Sequence, residues 1–577
     1  MVAQRAGDLK AAERLFRKTL ARAPESAEAL HLLGTLAFTR RDFVDAERFF
    51  TRALHANGND WAAFFNLGKS YEAMGRFDAA LAAYAAIPTG TAHYGDAMLR
   101  TGVIRYAQWR LAEAAVAFET AIALQPERSL AIVDLGIVYN HLGRFEDGLK
   151  TLRNALAIDP QLSDARRALA DVLRFLGRPD ESIVECRTLL ADDPNDALTL
   201  LLFGRAMFDK GEYGEAERAF MRAALAAPDR HEPRSNLNVL YHVLQRLDAA
   251  IVQGEAAIAI APLDSEARVN LGMSYLMAGD FARGWPLFEW RLQGTHNRDA
   301  YPYRDRIRRW NGESLNGERL LLARDQGVGD FILLSRFFPM IKARGVSLVV
   351  ECPREIAPLY REFPGIDKLL LGDSDARRAA HVTAHLPIAS VPLVLKVTDV
   401  TIPSAVPYMF ADAQRTQHFR NRFAALGEGR KIGIVWAGSP KHGSDKYRSC
   451  GLAAFAALTD LPGIHWISLQ KGVAERELAT APLGMRVFDI ADELTDFAAT
   501  ASAISALDLV ISVDTSVVHL AGALGKPVWT LLGFETYWLW RTHMNATPWY
   551  PTMRLFRQRI PNGWSDVFAD VRSALTP

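Results

Sequence analysis

Through the first half of the chain, apolar positions recur with helical spacing, and the whole pattern repeats every 34 residues. Gly34, Gly68, Gly102, Gly136, Gly204 and Gly272 fall on one rung, with Ala170 and Asn238 in its two remaining places. Twelve residues on, each unit has a small residue: Ala46, Ala80, Ala114, Gly148, Ser182, Ala216, Ala250 and Gly284. Four further on, most units place a bulky one: Phe50, Tyr84, Phe118, Leu152, Phe220 and Phe288. Another rung holds Pro126, Pro160, Pro194, Pro228 and Pro262. This predicts paired helices. The small residue on the first helix admits the second, the bulky one fills the gap between hairpins, and Pro ends the second helix. One hairpin cannot bury its apolar face alone, so the hairpins stack into a solenoid over residues 1–292. The first unit retains only Ala12, Phe16 and Pro24, as expected of a chain that is cut or starts within a repeat.

The pattern then changes. Phe281–Arg291 is aromatic with interleaved charges, which suits a helix packed on another domain. Residues 293–317 are polar and irregular and read as a linker pinned by Trp310. Beyond it come strand-length apolar runs. Arg319–Ala323 predicts a strand, Asp325–Asp330 a glycine loop, Phe331–Arg344 a helix and Ser347–Glu351 a strand. Glu355–Phe363 predicts a helix, Lys368–Leu371 a strand, and His381–Leu395 strand-like pieces broken by Pro387 and Pro392. The pattern restarts with strands at Lys431–Trp436, His465–Leu469, Leu509–Val513 and Val528–Leu532, and helices at Leu452–Leu458 and Phe497–Ala506. Two successive α/β halves, 318–428 and 429–577, predict two facing Rossmann-like domains with a cleft between them.

Composition changes little: 49% hydrophobic, 23% charged and a net charge of +1 give no reason to expect nucleic acid or a membrane surface. Cys186, Cys352 and Cys450 are odd in number and far apart, so no disulfide framework is expected. No apolar run reaches the length of a membrane span, and cytoplasm is the expected compartment.

The candidate chemistry gathers where strands end. After Leu509–Val513 come Asp514, Thr515 and Ser516, then a helical run carrying His519 and closing at Gly525. A helix start beside a strand's carboxyl end offers free N–H groups and partial positive charge. This stretch is expected to hold the diphosphate and ribose of a nucleotide-sugar. Gly327 and Gly329 permit close backbone approach in the first glycine loop, which matches neither the dinucleotide fingerprint nor a P-loop. The loop Ser439–Arg448 offers Ser439, Lys441, His442, Lys446 and Arg448 to a departing diphosphate, with Arg448 first because a guanidinium can grip two oxygens. Gln470, at a strand end, is a candidate for reading the base. No His/Cys/Glu cluster has metal-ligand spacing. In the repeats, Asn66, Asn140, Asn236, Asn238 and Asn270 are candidates for clamping a peptide backbone.

The 34-residue pattern resembles the tetratricopeptide repeat. GVGDFILLSRFFP, GIVWAGSPKHGSDKYRS, ISLQKG and VDTSVVHLAGALGKPVWTLLG look like the ordered motifs of GT-B glycosyltransferases of the heptosyltransferase-like family. The ending FETYWLWRTHMNATPWYPTMRLFRQ looks like the branch of that family fused to tetratricopeptide repeats. The resemblance implies that Asp330 is the base that takes a proton from the acceptor hydroxyl. It implies that Asp514, Thr515, Ser516 and His519 are the Asp-Thr-Gly-x-x-His donor motif, with Ser516 in place of glycine narrowing the phosphate pocket. Asp373-Ser374-Asp375 spells the DxD of metal-dependent transferases without their sequence context. The function implied is an inverting, metal-independent transfer from a nucleotide-diphosphate-sugar, without a further cofactor. The acceptor would be a protein such as flagellin held on the concave face of the repeats. The alternatives are a polysaccharide or lipid-linked acceptor, or a non-catalytic scaffold.

Overall fold

The computed structural model describes residues 9–293, 307–371, 382–440, 443 and 445–576. The chain separates into two compact units, Met1–Ala226 and Ala227–Pro577. Asp373, Ser374, Asp375, Lys441 and His442 lie outside the described residues.

The first unit is a run of antiparallel helices from Leu9–Arg22 to Tyr213–Ala226, stacked as an α-solenoid. Several first helices start on an acidic or hydroxyl cap: the side chains of Ser26, Asp60 and Asp196 accept from N–H groups two or three residues on. The expected place of the bulky residue needs correction. It lies within a hairpin, not between hairpins. A Cβ at Gly34, Gly68, Gly102 or Gly204 would stand 2.7, 2.4, 2.6 or 2.5 Å from the ring sixteen residues on. Glycine and ring are a matched pair, and the missing Cβ is the socket.

The second unit opens with two more hairpins, Glu232–Val243 with Leu247–Ile260 and Ser265–Ala278 with Phe281–Phe288. Two sheets follow. The first holds β1 (Arg308–Arg309), β2 (Arg319–Ala323), β3 (Ser347–Cys352), β4 (Lys368–Leu371) and β5 (Ala384–Pro387), all parallel, in the order β1-β5-β2-β3-β4. The second holds β6 (Arg430–Val435), β7 (Ile464–Ser468), β8 (Val487–Asp489), β9 (Leu509–Val513), β10 (Val528–Leu532), β11 (Ala546–Thr547) and β12 (Tyr550–Arg557). Its order is β11-β12-β10-β9-β6-β7-β8, parallel except for β11. The central strands β9 and β10 are mostly apolar and buried along almost their whole length, because both faces of the sheet are covered.

Several sequence expectations shorten or shift. Phe331–Arg344 is not one helix: Val328–Leu334 passes through a 3-10 turn into Phe338–Lys342, where Pro339 removes an N–H. Glu355–Phe363 reduces to Ala357–Tyr360. The linker is partly sheet: Arg308 and Arg309 pair with β5, and the Trp310 indole donates to the Glu313 carbonyl at 2.7 Å. The last two hairpins belong with the α/β part, since Phe281 and Trp285 pack edge-on against Trp538 at 6.4 and 5.1 Å. A buried ion cluster backs this contact. Arg291 grips Asp325 at 2.6 Å and Glu289 at 3.1 Å, while Ser390 and Arg309 hold the other Glu289 oxygen. Asn238 is buried and donates to the Ala250 carbonyl and Ser274, so it clamps a hairpin, not a peptide. Asn140 donates from Nδ2 to Asp171 at 3.2 Å.

Candidate active site

The order β10-β9-β6-β7 places the reversal of chain direction across the sheet between β9 and β6. Open α/β sheets leave a crevice at that point, outside the carboxyl ends of the strands. Here it is a cavity of about 880 Å³, lined by Ser439, Gln470, Thr515, Ser516 and Val517, with Arg354 and Glu355 from the end of β3 opposite. Helix Ser516–Ala523 starts at this wall. Thr515 is its N-cap, its hydroxyl accepting from the Val517 N–H at 3.3 Å and meeting the Ser512 hydroxyl at 3.3 Å.

Gln470 lines the cavity but does not present a free amide. Its oxygen accepts from the N–H groups of Trp436 and Ala437, and its nitrogen donates to the Ala437 and Lys471 carbonyls, all at 3.0–3.1 Å. With two bonds on each end, Gln470 shapes the loop after β6, and its expected part in reading a base is withdrawn. That loop is tightly built. The Gly438 N–H donates to Ser449, Ser449 donates to Asp445, and Arg448 Nε bonds the same Asp445 oxygen at 3.3 Å. A Cβ at Gly438 would stand 2.4 Å from Asp445 Oδ1 and 2.8 Å from Arg448 Nη2, so only glycine fits beside the arginine.

A second cluster adjoins the cavity through Asp514. Helices Val328–Leu334 and Ser516–Ala523 cross in close contact: a Cβ at Gly329 would lie 2.7 Å from the His519 ring. The crossing brings the Asp330 and Asp514 carboxyls into each other's field. Burial, then Asp514, then Asp325 push the Asp330 pKa up to about 7, against the Gly327 and Asp330 backbone N–H groups. Burial also raises Asp514, opposed by the Trp540 indole, which donates to Oδ2 at 2.7 Å, and by the Arg448 charge.

His519 is enclosed. Its ring stacks on Trp540 at 5.5 Å, and Nδ1 bonds the Tyr550 hydroxyl at 3.1 Å. Burial, helped by the Arg336 charge, lowers its pKa to about 3, so the ring is neutral at physiological pH. It joins the two lobes where its ring meets Gly329, and the bond to Tyr550 commits Nδ1 to the protein.

Sequence reasoning passed over Arg336. The guanidinium is 4% exposed and none of its hydrogen-bond partners is a carboxylate. It donates to the carbonyls of Leu333, Pro403 and Trp549 and to the Tyr408 hydroxyl, with the Tyr550 ring 4.6 Å away. One side chain thus ties the first lobe, the interlobe crossing and the start of β12. The signal was available: a lone arginine inside the apolar run FILLSRFFP.

Tetratricopeptide repeat family models match residues 1–60, 31–95, 65–129, 106–172 and 143–198. The model described as glycosyltransferase family 9 (heptosyltransferase) matches residues 468–560, the stretch that holds Asp514–His519, Trp540 and Tyr550. Protein FlbA of Caulobacter vibrioides is 27% identical over 384 residues, which span 60% of this chain and 62% of FlbA. The chain thus spans less than two thirds of that relative. Solved structures that resemble it include a tetratricopeptide repeat protein from Parabacteroides merdae, with 17% identity, 43% of this chain, 98% of that chain and a TM-score of 0.39. A thermophilic tetratricopeptide protein in Thermus thermophilus overlays with 26% identity, 32% of this chain, 99% of that chain and a TM-score of 0.30. Overlays this loose add nothing to the sequence matches.

Proposed function

We propose that this chain, which combines tetratricopeptide repeats with a C-terminal glycosyltransferase family 9 (heptosyltransferase) region, transfers a sugar from a nucleotide-diphosphate-sugar to a protein acceptor recruited by the repeats. The observation that carries the reading is the meeting of Asp330 with the Asp514 loop beside a cavity of nucleotide size. Asp330 takes the proton of the acceptor hydroxyl. A carboxyl held near pH 7 is well matched to that task, being ionised yet basic. The freed oxygen attacks the anomeric carbon from the face opposite the diphosphate, which inverts the centre. The leaving group departs onto the backbone N–H groups at the start of helix Ser516–Ala523, with the Arg448 charge beside Asp514 to offset it. Ser516 and Ser439 face the same cavity and are assigned to the donor phosphates. Gly327 and Gly329 let the base loop approach.

The test is donor turnover and transfer by the full chain, wild type against Asp330→Asn, with thermal shifts by a panel of nucleoside diphosphates. Stabilisation by one of them and loss of turnover in the variant are expected. No shift with any diphosphate, together with equal turnover, would sink the reading.

A further inference from the structure

A second cavity, of about 660 Å³, opens at the carboxyl ends of β10 and β12 and shares no lining residue with the first. Its walls include Gln245, Phe534, His543, Arg554, Arg557 and Gln558. We propose that it is a second anion site, built for a phosphate-class dianion.

Two buried donors there lack partners. Arg557 uses Nε on the Met544 carbonyl at 2.9 Å and Nη2 on the Trp540 carbonyl, and its Nη1 has no partner. No carboxylate offsets it: burial alone pushes its pKa down to about 10. Gln558 is 4% exposed; its oxygen accepts from the Phe534 N–H at 3.0 Å, while its Nε2 is buried without a partner. Adjacent residues of one strand end thus each hold back a donor. Native proteins seldom leave such groups unmet, and a charged one least of all.

The lining charge agrees. Arg554, Arg557 and Arg559 give three positive charges and Asp570 one negative, a balance of +2. Asp570 is taken by Arg559 at 2.8 Å, so it does not serve Arg557. On the helical side of the cavity, Gln245 donates from its amide to the Phe534 carbonyl at 3.0 Å. A guanidinium with an N–H group unspent suits a tetrahedral oxyanion better than neutral sugar hydroxyls, which would leave the charge unmatched. The site also touches the other one: Arg557 braces the Trp540 backbone, and the Trp540 indole holds Asp514.

The test needs no transfer assay, so it stands or falls apart from the proposed activity. The full chain is titrated calorimetrically with inorganic phosphate, and with glucose 1-phosphate to separate free phosphate from a phosphorylated sugar. Saturable binding is expected, weakened about tenfold or more in Arg557→Gln. Should Arg557→Gln fail to fold, exposed Arg554→Gln replaces it and is expected to weaken binding by a smaller factor. Tighter glucose 1-phosphate would assign a phosphorylated sugar, and equal affinity a free phosphate. Absence of saturable binding of either probe overturns the proposal, as does binding that the Arg557 and Arg554 variants leave unchanged.

Discussion

Asp330 and His519 are displaced from their ordinary titration ranges in opposite directions by the same burial. Folded Asp330 keeps its proton to about pH 7, whereas the unfolded chain releases it near 3.8, so this group lowers stability as pH rises through that interval. Folded His519 refuses its proton until about pH 3, whereas the unfolded chain takes one near 6.5, so this group lowers stability as pH falls. Between 3.8 and 6.5 the two slopes cancel. Asp330→Asn removes one of them. Its unfolding free energy should climb with pH across that window by about 1.4 kcal/mol per unit more than wild type. Urea unfolding of both proteins at two pH values checks this, and parallel profiles would contradict the placement of Asp330. The same substitution should cost about 10²–10⁴-fold in transfer, and wild-type activity should rise through pH about 7, as measured by initial rates.

Paired elements in this chain meet through glycines that face rings. Gly102→Ala puts a Cβ 2.6 Å from the Phe118 ring, and overpacking of that kind costs about 1–3 kcal/mol. Gly58→Ala, whose Cβ would be 3.9 Å from its nearest neighbour, is the control and should melt like wild type. Gly329→Ala should behave differently from both. Its Cβ meets a His519 ring already held by Trp540 and Tyr550, so the two helices must part and carry Asp330 from Asp514. A modest fall in melting temperature with a large loss of turnover is expected, and wild-type turnover would show that the crossing does not position the base.

The division of the molecule at residue 226 puts the last two hairpins in the unit that carries both sheets. Trp285, 3% exposed, sits against Trp538 in the aromatic cluster that joins them to the sheets. Trp285→Ala should cost about 3–5 kcal/mol and expose the joint to limited proteolysis. Arg291→Met leaves Asp325 and Glu289 buried with less positive charge, a change that costs about 3–5 kcal/mol when a buried pair is broken. Because Asp325 acts on Asp330, the pH at which activity appears should also move upward in that variant.

Much of this was legible from residues alone. The 34-residue period, the strands Arg319–Ala323, Lys368–Leu371, Leu509–Val513 and Val528–Leu532, and the cap at Thr515 depend on local periodicity and chain-adjacent hydrogen bonds. The β1 edge and the broken helix after Leu334 escaped, being too short for any period to show. Motif reading named Asp330 and Asp514 separately, yet a carboxyl near pH 7 exists only because two helices cross at Gly329, bring together carboxyls 184 positions apart and shut out water. Gln470 and His519 read as ligand groups by type, and packing spent both ends of the Gln470 amide and the His519 Nδ1 on the protein itself. Short-range order follows from neighbours along the chain. Burial, charge pairing and the assignment of each polar atom wait on distant segments, so only the assembled fold could decide them.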